Sequence, residues 1–241
     1  DVAHHARDFT LDGYRALVAS AASHYRFEPF GTTSAAQHVL WRHDVDMSVH
    51  RALRLAEIEN TVGVQATYFL FLHSPFYNLL EPEIVELVQR IAELGHWLGL
   101  HFDAGFVRPA GLEASIEREA RVLTDVLEQP INAFSFHNPS EAELDLGSGR
   151  VGGLVNAYAA SLRERYDYVS DSNGYWRFAR LPDVVRAHSS PRLHVLTHPE
   201  WWQDVPMSPR DRVARCVQGR ALGTLRDYDE TLARLGRRNV R

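Results

Sequence analysis

Val64–Leu72 (V-Q-A-T-Y-F-L-F-L), Glu83–Leu94 (E-I-V-E-L-V-Q-R-I-A-E-L) and Trp97–Phe102 (W-L-G-L-H-F) decide the fold. The first is rich in β-branched and aromatic residues, the composition of a buried strand. The second has apolar residues at helical spacing and stops at Gly95. The third resumes as a strand. Strand, helix and strand in succession make parallel neighbours joined by a crossover helix.

The same alternation continues on either side. Val39–Trp41 reads as a strand, and Ser48 as the N-cap of a helix through about Asn60. Leu112–Leu127 is a helix with an acidic first turn. Ile131–Phe136, Tyr166–Ser170 and Leu193–Thr197 are further strands, and Arg210–Leu235 is one long or broken helix. The pattern predicts an α/β chain with a mostly parallel sheet, open or closed into a barrel. No repeat or low-complexity segment interrupts it, and 241 residues suit one domain. The expected organisation is an N-terminal extension and helix over 1–38, then the α/β domain over 39–241.

Composition removes several chemistries. All 26 basic residues are Arg, so Schiff-base catalysis, a Walker-A loop and a kinase Lys are excluded. A single Cys, Cys216, leaves no intrachain disulfide, Cys-rich zinc site or C-x-x-C pair. A net charge of −5 gives no basic footprint for nucleic acid. No stretch is apolar for long enough to span a bilayer. With no charged leader in view, the expectation is a soluble, cytoplasmic protein. What remains abundant is carboxylate and imidazole, with 13 His, which suit divalent metals and acid–base work.

In parallel α/β folds the reactive groups gather at the carboxyl ends of strands. Polar clusters follow five strands: His43-Asp44-Val45-Asp46, His101-Phe102-Asp103, His137-Asn138-Pro139, Asp171-Ser172-Asn173-Gly174 and His198-Pro199-Glu200. Asp44 and Asp46, two apart on an extended segment, project to one side. A cation held by one carboxylate leaves the other free as a base. The ordinary alternative is an Asx turn or helix cap at Asp46. His101 ends an apolar strand, where the ordinary role is a hydrogen-bonded structural His and the sharper one a metal ligand. His137 precedes Asn138-Pro139, whose following N–H groups suit an oxyanion if the segment is more than a turn. His198 is placed as a general acid. His96, at the start of its strand, is read as structural or exposed. His4, His5, His24, His38, His50, His188 and His194 have no rim placement. Trp41, Trp176, Trp201 and Trp202 flank rim segments, where flat faces suit sugar rings.

These residues, in this order, resemble the polysaccharide deacetylase (NodB homology) superfamily, carbohydrate esterase family four. The resemblance runs in short blocks from about Val39 to Trp202. His43-Asp44-Val45-Asp46 matches the first motif, which implies that Asp44 is the catalytic base and Asp46 a metal ligand. Ala66-Thr67-Tyr68-Phe69-Leu70 is similar to the A-T-F-F-L segment that follows it. Gly95-His96-Trp97-Leu98-Gly99-Leu100-His101 is similar to the second motif, which makes His101 a ligand. Asp171 with Trp176 resembles the fourth motif, and Leu196-Thr197-His198 the fifth, whose His is the catalytic acid. The implied fold is a distorted (β/α)7-type barrel in a single domain. The implied cofactor is a divalent metal, Zn2+ first, with Co2+ or Ni2+ as alternatives.

Two departures stand out. The family's second ligand His falls at Gly105, and the third-motif Arg is replaced by His137. The third ligand is therefore open: His137 first, Asp103 second, His43 third. The resemblance implies a hydrolase removing an acetyl or formyl group from a small-molecule or lipid-linked N-acylated amino sugar or related amine, with Trp176, Trp201, Asp171 and Asn138 binding substrate. The alternatives are an inactive carbohydrate-binding protein on the same scaffold, or a hydrolase of a cyclic amide.

Overall fold

The computed structural model describes residues 5–240; His4 lies outside them. Among the described residues, nine strands form one curled sheet with eight α-helices around it, a distorted (β/α) barrel. In chain order the strands are β1 (Arg26–Phe27), β2 (His38–Val45), β3 (Thr67–Phe71), β4 (Trp97–Phe102), β5 (Ala133–Phe136), β6 (Arg150–Val151), β7 (Leu154–Asn156), β8 (Asp167–Ser170) and β9 (Arg192–Thr197). The helices are α1 (Leu11–Ala22), α2 (Val49–Val62), α3 (Pro82–Glu93), α4 (Leu112–Leu127), α5 (Glu141–Asp145), α6 (Ala160–Arg165), α7 (Leu181–Ala187) and α8 (Pro209–Arg234). The sheet runs β6-β7-β5-β4-β3-β2-β9-β8, with β1 paired to the start of β2. Every pairing is parallel except the β6–β7 hairpin. Strands β6 and β8 end the path, so the barrel wall is open between them.

All six strands expected from the sequence are present, as is the Ser48 cap, whose side chain accepts from the Arg51 N–H. Three strands were not expected. Two- and three-residue strands carry no readable alternation, so β1, β6 and β7 are fixed by pairing rather than by local pattern. Strand β2 also runs longer than expected, to Val45, taking the polar cluster into the sheet.

Strand β2 is buried along its whole length and divides its side chains between two environments. Val39, Trp41, His43 and Val45 face the helices, and Trp41 stacks on Phe27 at 5.4 Å. Leu40 joins Phe30 and Phe69 in the smaller cluster inside the barrel. Arg42 and Asp44 share that inner face. Inside, Gly99 lets Phe69 lie against β4, because a Cβ there would sit 2.4 Å from its ring.

Behind the strands the helix layer holds a buried carboxylate. Glu59 of α2 is fully buried and accepts from His43 Nε2 at 2.7 Å, from the Tyr68 hydroxyl at 2.6 Å and from the Tyr14 hydroxyl. The other His43 nitrogen lies 2.7 Å from the Thr197 hydroxyl of β9. His96 is structural: it takes the Ala66 N–H and reaches the Ala56 carbonyl. Burial opposes the Glu59 charge, but His43 and the surrounding donors hold its carboxyl below the usual range.

Glu59→Ala leaves His43, Tyr14 and Tyr68 without their acceptor, and is expected to cost about 3 kcal/mol in urea denaturation at pH 7. A carboxyl whose value is depressed on folding stabilises most above its unfolded pKa, and that contribution is lost as pH falls through the folded value. The gap between wild type and Glu59→Gln is therefore expected to be constant from pH 7 to 5 and to narrow below that. A gap that widens on acidification contradicts this account.

Candidate metal and acid–base site

The parallel register places the five polar clusters on one rim. Asp44 pairs with Phe69, Phe71 with His101, and His101 with Ser135, while the His137 N–H bonds the Phe102 carbonyl. Beyond the end of β2, the backbone is held by Tyr77 donating to the Val45 carbonyl and Ser74 to the Asp46 carbonyl, each at 2.7 Å. Asp46 is thereby set facing β4 and β5.

Three side chains converge there. Asp46 Oδ1 lies 3.1 Å from His101 Nε2 and 3.6 Å from His137 Nδ1, and the two nitrogens are 3.2 Å apart. Three donors about 2.1 Å from a tetrahedral zinc stand about 3.4 Å from one another, so the triangle has the size such a cation requires. Asp46 Oδ1 is buried and faces the two imidazole nitrogens, the position of a ligand atom. Among the described residues these three form the group able to hold a metal. Burial would raise the Asp46 carboxyl, but His101 and then His137 pull it far below the ordinary range. Burial lowers His137 and Asp46 more than reverses it, so the imidazole is raised.

Each ligand candidate is oriented from behind. His101 Nδ1 lies 2.7 Å from Ser135 Oγ, and that hydroxyl donates onward to Asp44 Oδ1 at 3.3 Å. With Nδ1–H directed at Ser135, the Nε2 lone pair faces the triangle. The Asn138 amide nitrogen Nδ2 lies 2.9 Å from His137 Nε2 and fixes the ring beside the triangle.

Asp44 and His198 flank the triangle. Asp44 is buried, with Oδ2 3.4 Å from Arg42 Nη2. Arg42 itself donates to the Tyr158 hydroxyl at 2.9 Å and lies over that ring. His198 turns Nδ1 to Asp171 at 2.7 Å and Nε2 toward Asp46, 3.9 Å away. Burial disfavours its charge, but Asp171, with Asp46 beyond, pushes the imidazole up to about 10, so it holds its proton at neutral pH.

Several sequence expectations are corrected. Asp171 does not face a substrate: it is fully buried and accepts from His198 and from Trp202 Nε1. Trp176 donates to Asp8 at 2.8 Å and stacks on Phe9, away from the rim cavities. Trp41 and Trp202 are core residues. Asp103 accepts from the Gly105 N–H and caps a short turn, outside the triangle. His43 faces the helix layer and cannot turn to the rim without leaving Glu59. The Ser140 N–H, expected toward an oxyanion, donates to Glu143 in a capping box. His194, which had no expected rim role, lines the cavity below the triangle. Arg42, which opens the polar cluster Arg42–Asp46 at the strand's end, and Ser135 had no expected role. Their only sequence signal is spacing: two residues before Asp44 and two before His137, hence on the same strand faces.

The triangle separates two cavities. An inner one of about 440 Å3 lies inside the barrel and is lined by Asp44, His101, Tyr158, Leu162, Tyr166 and Tyr168 among others. An outer groove of about 750 Å3 is lined by Phe76, Asn173, Arg177, Trp201 and Arg210. Asp46, His137, Asn138 and His198 border both. Among the described residues no helix is long and apolar enough to cross a membrane.

No protein-family model and no curated protein matches the chain. Solved structures are similar to it. A family 4 carbohydrate esterase from Bacillus anthracis is 16% identical, covers 87% of this chain and 86% of its own, and has a TM-score of 0.46. A family 4 acetyl xylan esterase from Clostridium thermocellum, in complex with a cobalt ion, is 12% identical over 83% of this chain and 92% of its own, with a TM-score of 0.43. A family 4 pseudoenzyme, also from B. anthracis, is 15% identical over 83% of this chain and 64% of its own, with a TM-score of 0.43.

Proposed function

We propose that the protein is a metal-dependent hydrolase that removes an N-acyl group from an amino sugar or related amine. The observation that carries this reading is the Asp46–His101–His137 triangle set between a carboxylate, Asp44, and an imidazole, His198, that holds its proton. A divalent cation, zinc in the first instance, would be held by Asp46, His101 and His137 and would supply a Lewis acid that polarises the acyl oxygen and acidifies water.

The remaining roles fall to the chain. Asp44, fixed by Arg42 and Ser135, accepts the proton of the attacking water. His198, fixed by Asp171, delivers a proton to the departing nitrogen. The C–O bond forms first by addition to the acyl carbon, and the C–N bond breaks as the nitrogen takes the proton, leaving a carboxylate and an amine. Two groups with opposite proton tasks on either side of one reacting carbon are the arrangement acyl hydrolysis needs. The inactive, binding-only reading was motivated by Gly105 and the missing third-motif Arg. Both gaps have a local counterpart, since His137 stands in the triangle and Arg42 stands beside Asp44. That supports the catalytic reading.

Calorimetry on chelator-treated protein is expected to show one zinc per chain, with binding abolished in Asp46→Ala, His101→Ala and His137→Ala but kept in Asp103→Ala. Zinc binding that survives His137→Ala would remove that residue from the ligand set. Asp44→Asn and His198→Ala are each expected to keep zinc while lowering kcat toward N-acyl sugars by about 10²–10⁴. Full turnover in metal-free protein contradicts the proposal. Ser135→Ala frees His101 to rotate and is expected to weaken zinc affinity about tenfold or more.

A further inference from the structure

We infer that the inner cavity is an acyl-chain site, and that the acyl group removed is an apolar chain longer than acetyl. The inference rests on the hydrolase reading above and names which part of the substrate goes where.

Size is the first argument. The methyl of an acetyl group fills about one water's share of space, about 30 Å3. The inner cavity is about 440 Å3 and opens directly at Asp44 and the triangle. That falls in the range of pockets that enclose whole drug-sized ligands, about 300–1,000 Å3.

Chemistry decides which half of the substrate enters. The scissile carbon must present its nitrogen to His198 and its remaining face to the water at Asp44. His198 borders both cavities, whereas Asp44 borders only the inner one. The wall away from the triangle is mostly Tyr158, Leu162, Tyr166 and Tyr168, with His194 and Arg163 as its polar members. Tyr166 directs its hydroxyl to His38 at 2.7 Å, and Tyr158 accepts from Arg42. What these rings offer a ligand is largely ring surface. A hydroxyl-rich sugar buried there would leave polar groups unpaired, at a cost of about 1–3 kcal/mol each. The outer groove, with Asn173, Arg177 and Arg210, offers donors for a polar amine. The acyl chain therefore lies inside and the amine outside.

The fold also provides an exit for a chain too long for the cavity. The barrel wall is open at the β8 edge, and Tyr168 of that strand is 48% exposed beside the cavity.

The test uses the zinc-loaded protein with p-nitrophenyl acetate, butyrate and hexanoate, and with acetate, butyrate and hexanoate as free carboxylates in calorimetry. A fully buried methylene is worth about fourfold, so kcat/KM and carboxylate affinity are expected to rise at least tenfold from two carbons to six. Ala157→Phe and Leu144→Trp, which narrow the cavity, are expected to pull the hexanoyl-to-acetyl ratio back at least tenfold. Leu144 is only half-buried, so its variant remains informative if Ala157→Phe does not fold. Turnover that is flat or falls with chain length overturns the acyl-chain site and leaves the hydrolase reading standing. Hexanoate that binds more tightly than acetate, in a cavity-dependent way, with no ester cleaved, keeps the site and removes the hydrolase. Equal binding of both acids with no turnover removes both.

Discussion

Along β2, successive side chains must point to opposite faces, and the site depends on that alternation. His43 on the helix side is tied to Glu59 and Thr197, so Arg42, Asp44 and Asp46 are committed to the inner side. A one-residue slip would put imidazole where the carboxylates are needed and carboxylates against the buried Glu59. The Glu59 cluster is thus the back of the site: it fixes the register of β2 against β9, and with it the distance between Asp44 and His198.

The triangle is built across strands rather than along one loop. Asp46 follows β2, His101 ends β4 and His137 follows β5. Neighbouring parallel strands lie about 4.8 Å apart, which is why imidazoles from β4 and from the end of β5 meet at the Asp46 carboxylate. Arg42, two residues before Asp44 on the same face of β2, places its guanidinium 3.4 Å from that carboxylate. Ser135 then links Asp44 to His101 through one hydroxyl, so the two side chains share a single hydrogen-bonded frame.

Much of this was legible in sequence. Long buried strands and helices announce themselves by composition and period, and polar residues just past apolar strands mark the rim. Asp44, Asp46, His101, His137 and His198 were named on that basis, and the structure gathers them. Two polar residues further inside the strands were not legible. Arg42 and Ser135 sit in runs whose burial, read locally, says only core, and their role comes from cross-strand register. Trp176 and Asp171 were misplaced for the converse reason: nearness in sequence to the rim does not say which way a side chain turns, and both turn inward to Asp8 and His198. The cavities are still less visible, because they are the space left by several elements at once.

The most direct measurement is a crystal structure of the zinc-soaked protein with anomalous scattering at the zinc edge. The account predicts one strong site coordinated by an Asp46 carboxylate oxygen, His101 Nε2 and His137 Nδ1, with Asp44 and His198 unligated on either side. Zinc bound through His43 or Asp103, or absent from this triangle while bound elsewhere, would contradict it.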